Sequence, residues 1–295
     1  MKKYASLMVL LGAAFWASNG VFVNLFEGSG LSPVEKMCLR CFIAVAIETL
    51  IIFFYDRRQF IVDIKDLPWF ALAGIFGVFL FGATYNLCIS RVGMGIAGVL
   101  IYLMPIMVMI YAVVFKKEKF TLMKGVMLGL NLFGCALVSG VMSGGRFDLL
   151  GIGYGVITAL FYALNNIITA DRLNKYSVLA RVYYPGVFAC ICGVIYLLLT
   201  GRMTEVVSVM TDPHYLLIGI CWALCCSILS YFFFNVALDY LDVTKVSILS
   251  TFEPVATILF GLFLLGEHID LYGVIGVILV ITSLILGEVK DPSSD

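Results

Sequence analysis

The stretch STFEPVATILFGLFLLGEHID, residues 250 to 270, places an acid and a helix-breaking proline inside an apolar run. A proline has no N–H to donate to the carbonyl four residues back, so Pro254 frees the carbonyl of Ser250. In a lipid bilayer, a freed carbonyl must face protein, water or a ligand. A charge such as Glu253 at the centre of a membrane helix costs about 2.5 to 3.5 kcal/mol on insertion scales. If the run crosses a membrane, it therefore predicts a kinked helix facing a polar interior.

The composition puts this run in a membrane. The 295 residues are 62% hydrophobic and 13% charged, with a mean hydropathy of +1.06, which is more apolar surface than a soluble core can bury. The 19 basic and 19 acidic residues cancel and form no basic patch, so no nucleic-acid partner is expected. Seven of the nine cysteines lie within apolar segments and are interpreted as packing residues, and neither a metal site nor a cofactor is predicted.

The chain is predicted to be an all-α integral membrane protein, because a membrane-crossing helix needs about 20 mostly apolar residues and ten such segments occur. Short connections leave no room for a soluble domain. The predicted spans are residues 4–26, 34–55, 67–90, 96–115, 123–143, 149–169, 182–200, 214–238, 246–266 and 271–288.

The distribution of basic residues predicts the orientation. With the N-terminus in the cytoplasm, 14 of the 19 Lys and Arg residues fall in cytoplasmic loops. The other five form the outer set, Lys36, Arg40, Arg91, Arg146 and Arg202. Both termini are therefore predicted to be cytoplasmic. The short loops and missing glycosylation sequons favour a bacterial inner membrane.

The chain contains an internal repeat. A shift of 149 residues aligns Pro105 with Pro254, Glu118 with Glu267, and Tyr85-Asn86 with Phe234-Asn235. A shift of 146 residues aligns AAFWASN (13–19) with ALFYALN (159–165). Two five-helix copies, residues 1–145 and 146–295, are the natural interpretation, and the odd number of spans inverts the second copy. Inverted repeats are typical of alternating-access transporters that bind substrate near the midplane.

Both copies end in a proline, an apolar stretch and a Gly-Glu pair or its variant, EPVATILFGLFLLGE and MPIMVMIYAVVFKKE. With the early Trp16, and Arg40 opening the second span, the chain resembles the EamA family of the drug/metabolite transporter superfamily. The resemblance covers nearly the whole chain and implies a transporter of small metabolites, frequently an exporter of amino acids or related compounds. Lys117-Glu118 departs from the usual Gly-Glu pair at the end of the first copy.

Polar and aromatic residues in the spans that carry the repeat are the candidates for a substrate pathway. Each one alone is explained by an interhelical hydrogen bond, but aromatic walls with a few aimed polar groups are typical of a small-molecule pocket. The predicted substrate-binding residues are Trp16, Asn19, Tyr85, Asn86, Tyr102, Tyr162, Asn165, Tyr231, Asn235 and Glu253, and the predicted helix breaks are at Pro105 and Pro254.

Two acids lie within predicted spans. Glu253 belongs to a one-sided stripe with Ser247, Ser250 and Thr257, and the first copy has Met104 at the equivalent position. Glu253 is interpreted either as a proton site or counter-charge for a substrate ammonium group, or as a brace for the bent helix, since the resembled family often has Glu there whatever its substrate. Glu48 is the second acid, and the sequence does not identify its neighbour.

The leading functional prediction is a secondary transporter, driven by the substrate gradient or by protons. No GxxxxGK[ST] nucleotide loop is present, so ATP hydrolysis by this chain is excluded. A channel and a membrane-embedded enzyme are the alternatives, and enzymatic activity is not expected because no nucleophile has an adjacent base. The expected partners are a small molecule, lipid and a coupling proton. The pairs Gly125/Gly129 and Gly140/Gly144 favour helix packing or a homodimer.

Overall fold

A computed structural model describes residues 4–117, 121–138, 148–264 and 271–289, and every regular element in these ranges is helical. The helices of the first half are α1 Ala5–Ala17, α2 Asn19–Leu25, α3 Pro33–Tyr55, α4 Leu67–Gly74, α5 Phe81–Ile101, α6 Met104–Phe115 and α7 Leu122–Val138. Those of the second half are α8 Leu149–Asp171, α9 Val178–Thr200, α10 Met203–Thr211, α11 Pro213–Ala223, α12 Ser230–Leu238, α13 Val243–Ser250, α14 Glu253–Leu264 and α15 Leu271–Val289. The predicted all-α class is confirmed for this part of the chain.

Seven helical runs in the described ranges are long and apolar enough to cross a membrane. They are Ala5–Leu25, Pro33–Tyr55, Ile64–Val92, Ile96–Phe115, Leu149–Asp171, Val178–Thr200 and Pro213–Leu238. Leu122–Leu137 and Leu271–Leu286 are shorter apolar helices, and the predicted span 246–266 is divided between α13 and α14. The chain is thus a multi-pass membrane protein, while the number of ten spans stays a prediction.

Capping residues set several boundaries that hydropathy alone placed differently. Ser32 and Glu35 form a reciprocal capping box that starts α3 at Pro33, with the Glu35 amide donating to Ser32 Oγ at 3.3 Å. Ser177 caps α9, which therefore begins at Val178 rather than at residue 182. The outer connection predicted as a loop at 201–212 contains a short helix, α10, and the first span is interrupted at Ser18.

The two halves repeat their irregular elements at one constant offset. A π-helical segment at Ile75–Leu80 recurs at Leu224–Leu229, 149 residues later. The first and last residues of α6 and α14 are also 149 residues apart, and so are the first residues of α7 and α15. The helical structure therefore supports a duplication. The predicted boundary between residues 145 and 146 lies outside the described residues, and so do Glu118, Glu267, Gly140 and Gly144.

Extensive helix packing joins the two halves, through the pairs α1 with α12, α3 with α9, α5 with α8, and α7 with α15. Glycines permit the closest approaches. A methyl group on Gly134 of α7 would lie 2.9 Å from the carbonyl oxygen of Gly276 in α15. A methyl group on Gly74 would lie 2.4 Å from the carbonyl oxygen of Pro185 in α9. The core of the molecule is thus an interface between the repeats.

Ion pairs tie together the loops at each end of the bundle. At one end, Lys175 Nζ lies 2.6 Å from Asp66 Oδ2, and Lys116 Nζ lies 2.8 Å from Asp171 Oδ1. At the other, Arg202 Nε lies 3.1 Å from Glu35 Oε1. These contacts join loops that the alternation of spans had placed on the same side, and which side is cytoplasmic stays a prediction.

The Arg91–Asp148 pair at the second end predicts a dependence of stability on pH. Arg91 Nη1 donates to Asp148 Oδ2 at 2.9 Å, and this hydrogen bond lowers the pKa of the Asp148 carboxyl. A lowered folded-state pKa contributes stability above the unfolded value of about 3.9, and that contribution is lost as the pH falls through the folded value. Asp148→Asn should therefore reduce thermal stability at neutral pH but match the wild type in acid. Because Asp148 also caps α8 through the Leu150 amide, Asn is the appropriate replacement, and an equal difference at both pH values would contradict the assignment.

Candidate functional site

The helix that carries the repeated proline is broken in each half, and both prolines lie where the helix restarts rather than inside a kinked helix. α5 ends at Ile101 and α6 starts at Met104, with Pro105 in the first turn of α6. α13 ends at Ser250 and α14 starts at Glu253, followed by Pro254. A proline in the first helical turn sacrifices no hydrogen bond, because the first N–H groups have no partner within the helix. The predicted kinks are corrected to two-residue interruptions, at 102–103 and 251–252.

Trp16 is the centre of an aromatic cluster drawn from both halves. Its ring centroid lies 6.2 Å from that of Tyr162 and 5.1 Å from that of Tyr231, both edge to face, and 5.3 Å from that of Phe234. Phe81 continues the cluster from Tyr162 at 5.1 Å to Tyr85 at 6.2 Å. Four of the predicted substrate-binding residues, Trp16, Tyr85, Tyr162 and Tyr231, therefore meet here, on α1, α5, α8 and α12.

Glu253 lies beside this cluster as the first residue of α14. Its side chain is half-buried. Its carboxyl is close enough to interact electrostatically with the hydroxyls of four tyrosines, Tyr85, Tyr102, Tyr162 and Tyr231. To the part of the chain that the structure describes, its carboxyl makes no ion pair or hydrogen bond. The start of a helix favours a negative charge, which gives Glu253 a local reason for its position. A bracing hydrogen bond from the carboxyl is not present within the described residues.

Arg40 is a further polar residue of the site that the sequence analysis had assigned to the outer loops. The capping box starts α3 early enough that Arg40 is its eighth residue, about 10 Å into the helix at 1.5 Å per residue. Its Nη1 donates to Asn19 Oδ1 at 2.9 Å, an oxygen that also accepts from Trp222 Nε1 at 2.9 Å. The guanidinium carbon lies 5.3 Å from the Trp222 ring centroid. Arg40 is thus held inside the bundle by an amide and an indole.

The charge of Arg40 has no acidic partner among the described residues, and its buried Nε has no acceptor there. Tyr231 is within charge-interaction range of both Arg40 and Glu253. Arg40 and Glu253 form no ion pair with each other, and neither has an ion-pair partner among the described residues. The predicted span 34–55 already contains Arg40, so the sequence signal for an intramembrane position was present, and the count of outer basic residues overrode it.

The remaining predicted amides have varied surroundings. Asn235 is buried and its Nδ2 donates to the Tyr231 carbonyl at 2.9 Å, while its Oδ1 has no partner in the described structure. Asn165 is buried against Gly77 of the first π-helical segment, where a methyl group on Gly77 would lie 2.4 Å from Asn165 Cβ. Asn86 is half-buried on α5. Tyr102, at the first helix break, is 8% exposed. These residues pack around the aromatic cluster without forming one continuous polar surface.

Two cavities lie outside the aromatic cluster. A groove of about 310 Å³ runs along α1 and α2, and its lining of Leu11, Ala14, Phe15, Ser18, Val21, Phe22, Cys225 and Phe260 is almost entirely apolar. A cavity of about 20 Å³ borders Glu48 between α3, α9 and α12. The groove lacks the charged groups that a polar metabolite requires, and the smaller cavity cannot hold one. The aromatic cluster, together with Arg40 and Glu253, is the candidate substrate site, because it combines aromatic rings with two opposite charges.

Comparison with known proteins gives a separate match for each half of the chain. The model of the EamA-like transporter family matches residues 3–140 and, separately, residues 149–287. An uncharacterized transporter of Clostridium kluyveri is 22% identical over 97% of this chain and 93% of its own. Another, of Archaeoglobus fulgidus, is 28% identical over 60% of each chain, and one of Haemophilus influenzae is 24% identical over 75% of this chain and 71% of its own.

A solved crystal structure has the same fold. It superposes with a TM-score of 0.79 over 97% of this chain and 96% of the other, at 13% sequence identity. At that identity the likeness concerns the fold alone. The assignment of family comes from the sequence, in which both halves match the same family model. The chain belongs to the EamA-like transporter family.

Proposed function

We propose that this transporter exports small metabolites bearing an ammonium group, with amino acids as the principal class, by alternating access across a bacterial inner membrane. The observation that supports this substrate class is that two opposite charges, Arg40 and Glu253, have no ion-pair partner within the described ranges. A buried charge without a partner is costly, and a ligand of opposite charge removes that cost. Glu253 is suited to an ammonium group and Arg40 to a carboxylate, which is the charge pattern of an amino acid.

The aromatic cluster between the two charges suits the rest of such a ligand. Trp16, Tyr162 and Tyr231 offer ring faces and edges to an aliphatic or aromatic side chain, and ring faces also attract cations. In the present arrangement the rings contact each other. Binding a ligand therefore requires these rings to separate, so the structure is consistent with a state in which the site is closed.

The repeat architecture supports alternating access. The main helix pairs join one half to the other, so a rocking motion of the halves would open the site to each side in turn. The interruptions at 102–103 and 251–252 lie next to the cluster and offer residues that can absorb a change of backbone angle. Proton coupling is proposed as the energy source. Both termini are predicted to be cytoplasmic.

A homodimer stays a separate prediction. Gly129 is exposed on α7, and a methyl group there would meet nothing within 4 Å, so this surface is open to a second copy or to lipid. Crosslinking of the purified protein in lipid tests this point independently of transport.

Counterflow in proteoliposomes tests the transport function. Vesicles loaded with unlabelled amino acid should accumulate the labelled compound transiently, because a carrier exchanges one molecule for another. A channel would let the label equilibrate without accumulation, and an enzyme would change the compound. Screening a panel of amino acids and amines by thermal stabilisation selects the compound, since a ligand at 100 times its Kd stabilises by about 2.7 kcal/mol.

Arg40→Gln is expected to weaken amino-acid binding while affecting the decarboxylated amine much less. Removing one partner of a buried charge pair costs about 2 to 5 kcal/mol, or about 30-fold to 4,000-fold in Kd. Comparing an amino acid with the amine that lacks its carboxylate isolates this contribution. Equal weakening for both ligands would assign Arg40 a structural role through Asn19 and Trp222, and the carboxylate contact would then be wrong.

A further inference from the structure

Glu48 is a buried acid outside the aromatic cluster. It lies on α3 about 10 Å from the end of that helix, at 1.5 Å per residue, and its side chain is 5% exposed. Its Oε2 has no hydrogen-bond partner among the described residues, and no cation lies within ion-pair distance there. The carboxyl borders the cavity of about 20 Å³. Glu48 is therefore a buried carboxyl without a protein partner that meets an internal space.

The described surroundings of Glu48 supply no counter-charge. The other lining residues are apolar and come from α3, α9, the second π-helical segment and α12: Ile51, Ile52, Leu179, Val182, Ile228 and Phe232. The titratable groups near Glu48 are the thiols of Cys41 on α3 and Cys190 on α9. The hydroxyl of Tyr183 on α9 accepts from Thr49 at 3.3 Å.

The nearest basic residue of α9 in sequence faces elsewhere. Arg181, beside Val182, is 3% exposed and its Nη2 donates to Asp239 Oδ1 at 2.5 Å. This ion pair lies at the C-terminal end of α12, where the Asp239 side chain is partly exposed. Arg181 therefore forms its ion pair with Asp239 and not with Glu48.

The chemistry of the cavity favours a proton as the ligand of Glu48. At about 20 Å³ the cavity exceeds the about 10 to 15 Å³ that one water molecule needs, but a buried water also needs two or more polar partners, and Glu48 is the one polar residue of its described lining. Calcium takes six to eight oxygen ligands and magnesium about six, which one carboxylate cannot provide. A metabolite is too large. An ionised carboxylate in an apolar site is costly, so the neutral acid is the form that this site accommodates.

We propose that Glu48 binds and releases the coupling proton, in a site separate from the substrate cluster. The assignment rests on the proposed transport function. Glu48 belongs to the first half of the chain, whereas the α9 and α12 residues that enclose it belong to the second. The two halves are closely packed here, because a methyl group on Gly186 would lie 3.0 Å from Val45 Cγ2 and 3.6 Å from Glu48 Oε2.

This position couples the proton to the motion of the repeats. With Glu48 protonated, the apolar walls of α3 and α9 close around a neutral group. When the proton leaves, the carboxylate needs water, which favours a conformation in which α3 separates from α9. Proton loss and opening of the interface are therefore linked at Glu48, while the substrate binds at Arg40 and Glu253.

Infrared difference spectroscopy of the full chain in lipid tests the proton site without a substrate. At pH of about 7, where an exposed glutamate of pKa about 4.3 is ionised, the wild type should show a protonated-carboxyl C=O band that disappears at alkaline pH. Glu48→Gln should lack this band, whereas Glu253→Gln, the same change at the other intramembrane acid, should retain it. Glu48→Asp, which keeps an acid, should retain a shifted band. A band that persists unchanged in Glu48→Gln, or that is absent from the wild type, overturns the proposal.

Transport measurements separate this proposal from the proposed function. Glu48→Gln should retain counterflow of the selected amino acid but lose accumulation driven by a pH gradient. If counterflow and pH-driven accumulation both remain, Glu48 does not carry the coupling proton. If the wild type shows no counterflow with any compound of the panel, the transport function fails, and the infrared band still decides whether Glu48 holds a proton.

Discussion

Glu253→Gln should abolish high-affinity binding of ammonium-bearing ligands while leaving the amount of folded protein unchanged. Glutamine keeps the size of the side chain and removes only its charge, and the wild-type carboxyl makes no hydrogen bond or ion pair to the described residues that the change would break. Losing one partner of a buried charge pair costs about 2 to 5 kcal/mol, or about 30-fold to 4,000-fold in Kd. Thermal stabilisation by an amine and by the corresponding amino acid should therefore fall together.

The matched control is Glu205→Gln, the same change at a glutamate of α10 outside the cluster, which should leave ligand binding unaltered. Comparison with Arg40→Gln gives a second discrimination, because only Arg40→Gln should spare the amine. If Glu253→Gln keeps exchange but loses dependence on a pH gradient, the proton belongs to Glu253 and the counter-charge role is wrong. Unchanged affinity for amines would contradict that role directly.

Gly74→Val should prevent the two halves from packing and reduce the yield of folded protein severely. Even a methyl group at this position would lie 2.4 Å from the Pro185 carbonyl oxygen and 2.7 Å from Phe188 Cβ. A backbone oxygen cannot move away as a side-chain end can, so α4 and α9 must separate. Overpacking costs about 1 to 3 kcal/mol and occasionally more, and the backbone contact puts this case at the upper end. Thermal unfolding and size-exclusion chromatography measure the effect.

Gly153→Val is the control for that change. It introduces the same side chain into another membrane helix, α8, at a position where a methyl group meets nothing within 4 Å. Any loss shared by the two variants reports the general cost of valine in place of glycine. Similar unfolding temperatures for the two variants would show that close contact at Gly74 is not required for assembly of the halves.

The sequence predicted the regular features of the fold and missed the irregular ones. Aligning Pro105 with Pro254 gave an offset that the ends of α6 and α14 reproduce. The π-helical segments 75–80 and 224–229 could not be foreseen, because a widened helical turn leaves the apolar character of a span unchanged. The interruptions before both prolines were predicted as kinks, since sequence identifies a missing donor but not how many residues the chain leaves unwound.

The candidate site was predicted in part for similar reasons. The aromatic members Trp16, Tyr85, Tyr162 and Tyr231 were found because the repeat marks the spans that face the interior. Arg40 was counted with the outer basic residues, although the predicted span 34–55 contains it, because the charge count treats a basic residue near the start of a span as exposed. The surroundings of Glu48 depend on the packing of α3 against α9 and α12. This packing cannot be predicted from the sequence of α3 alone.

One difference between equivalent positions, Met104 in the first copy and Glu253 in the second, has an energetic consequence. Two inverted copies with identical side chains would give the inward-open and outward-open forms equal free energy. Met104 is fully buried and its Sδ accepts a hydrogen bond from Asn166, whereas the Glu253 carboxyl has no ion-pair partner among the described residues, so water stabilises the form in which Glu253 is hydrated. Under the proposed alternating-access mechanism, the empty protein would therefore favour one of the two open forms, and a ligand that neutralises Glu253 would bring the two forms closer in free energy.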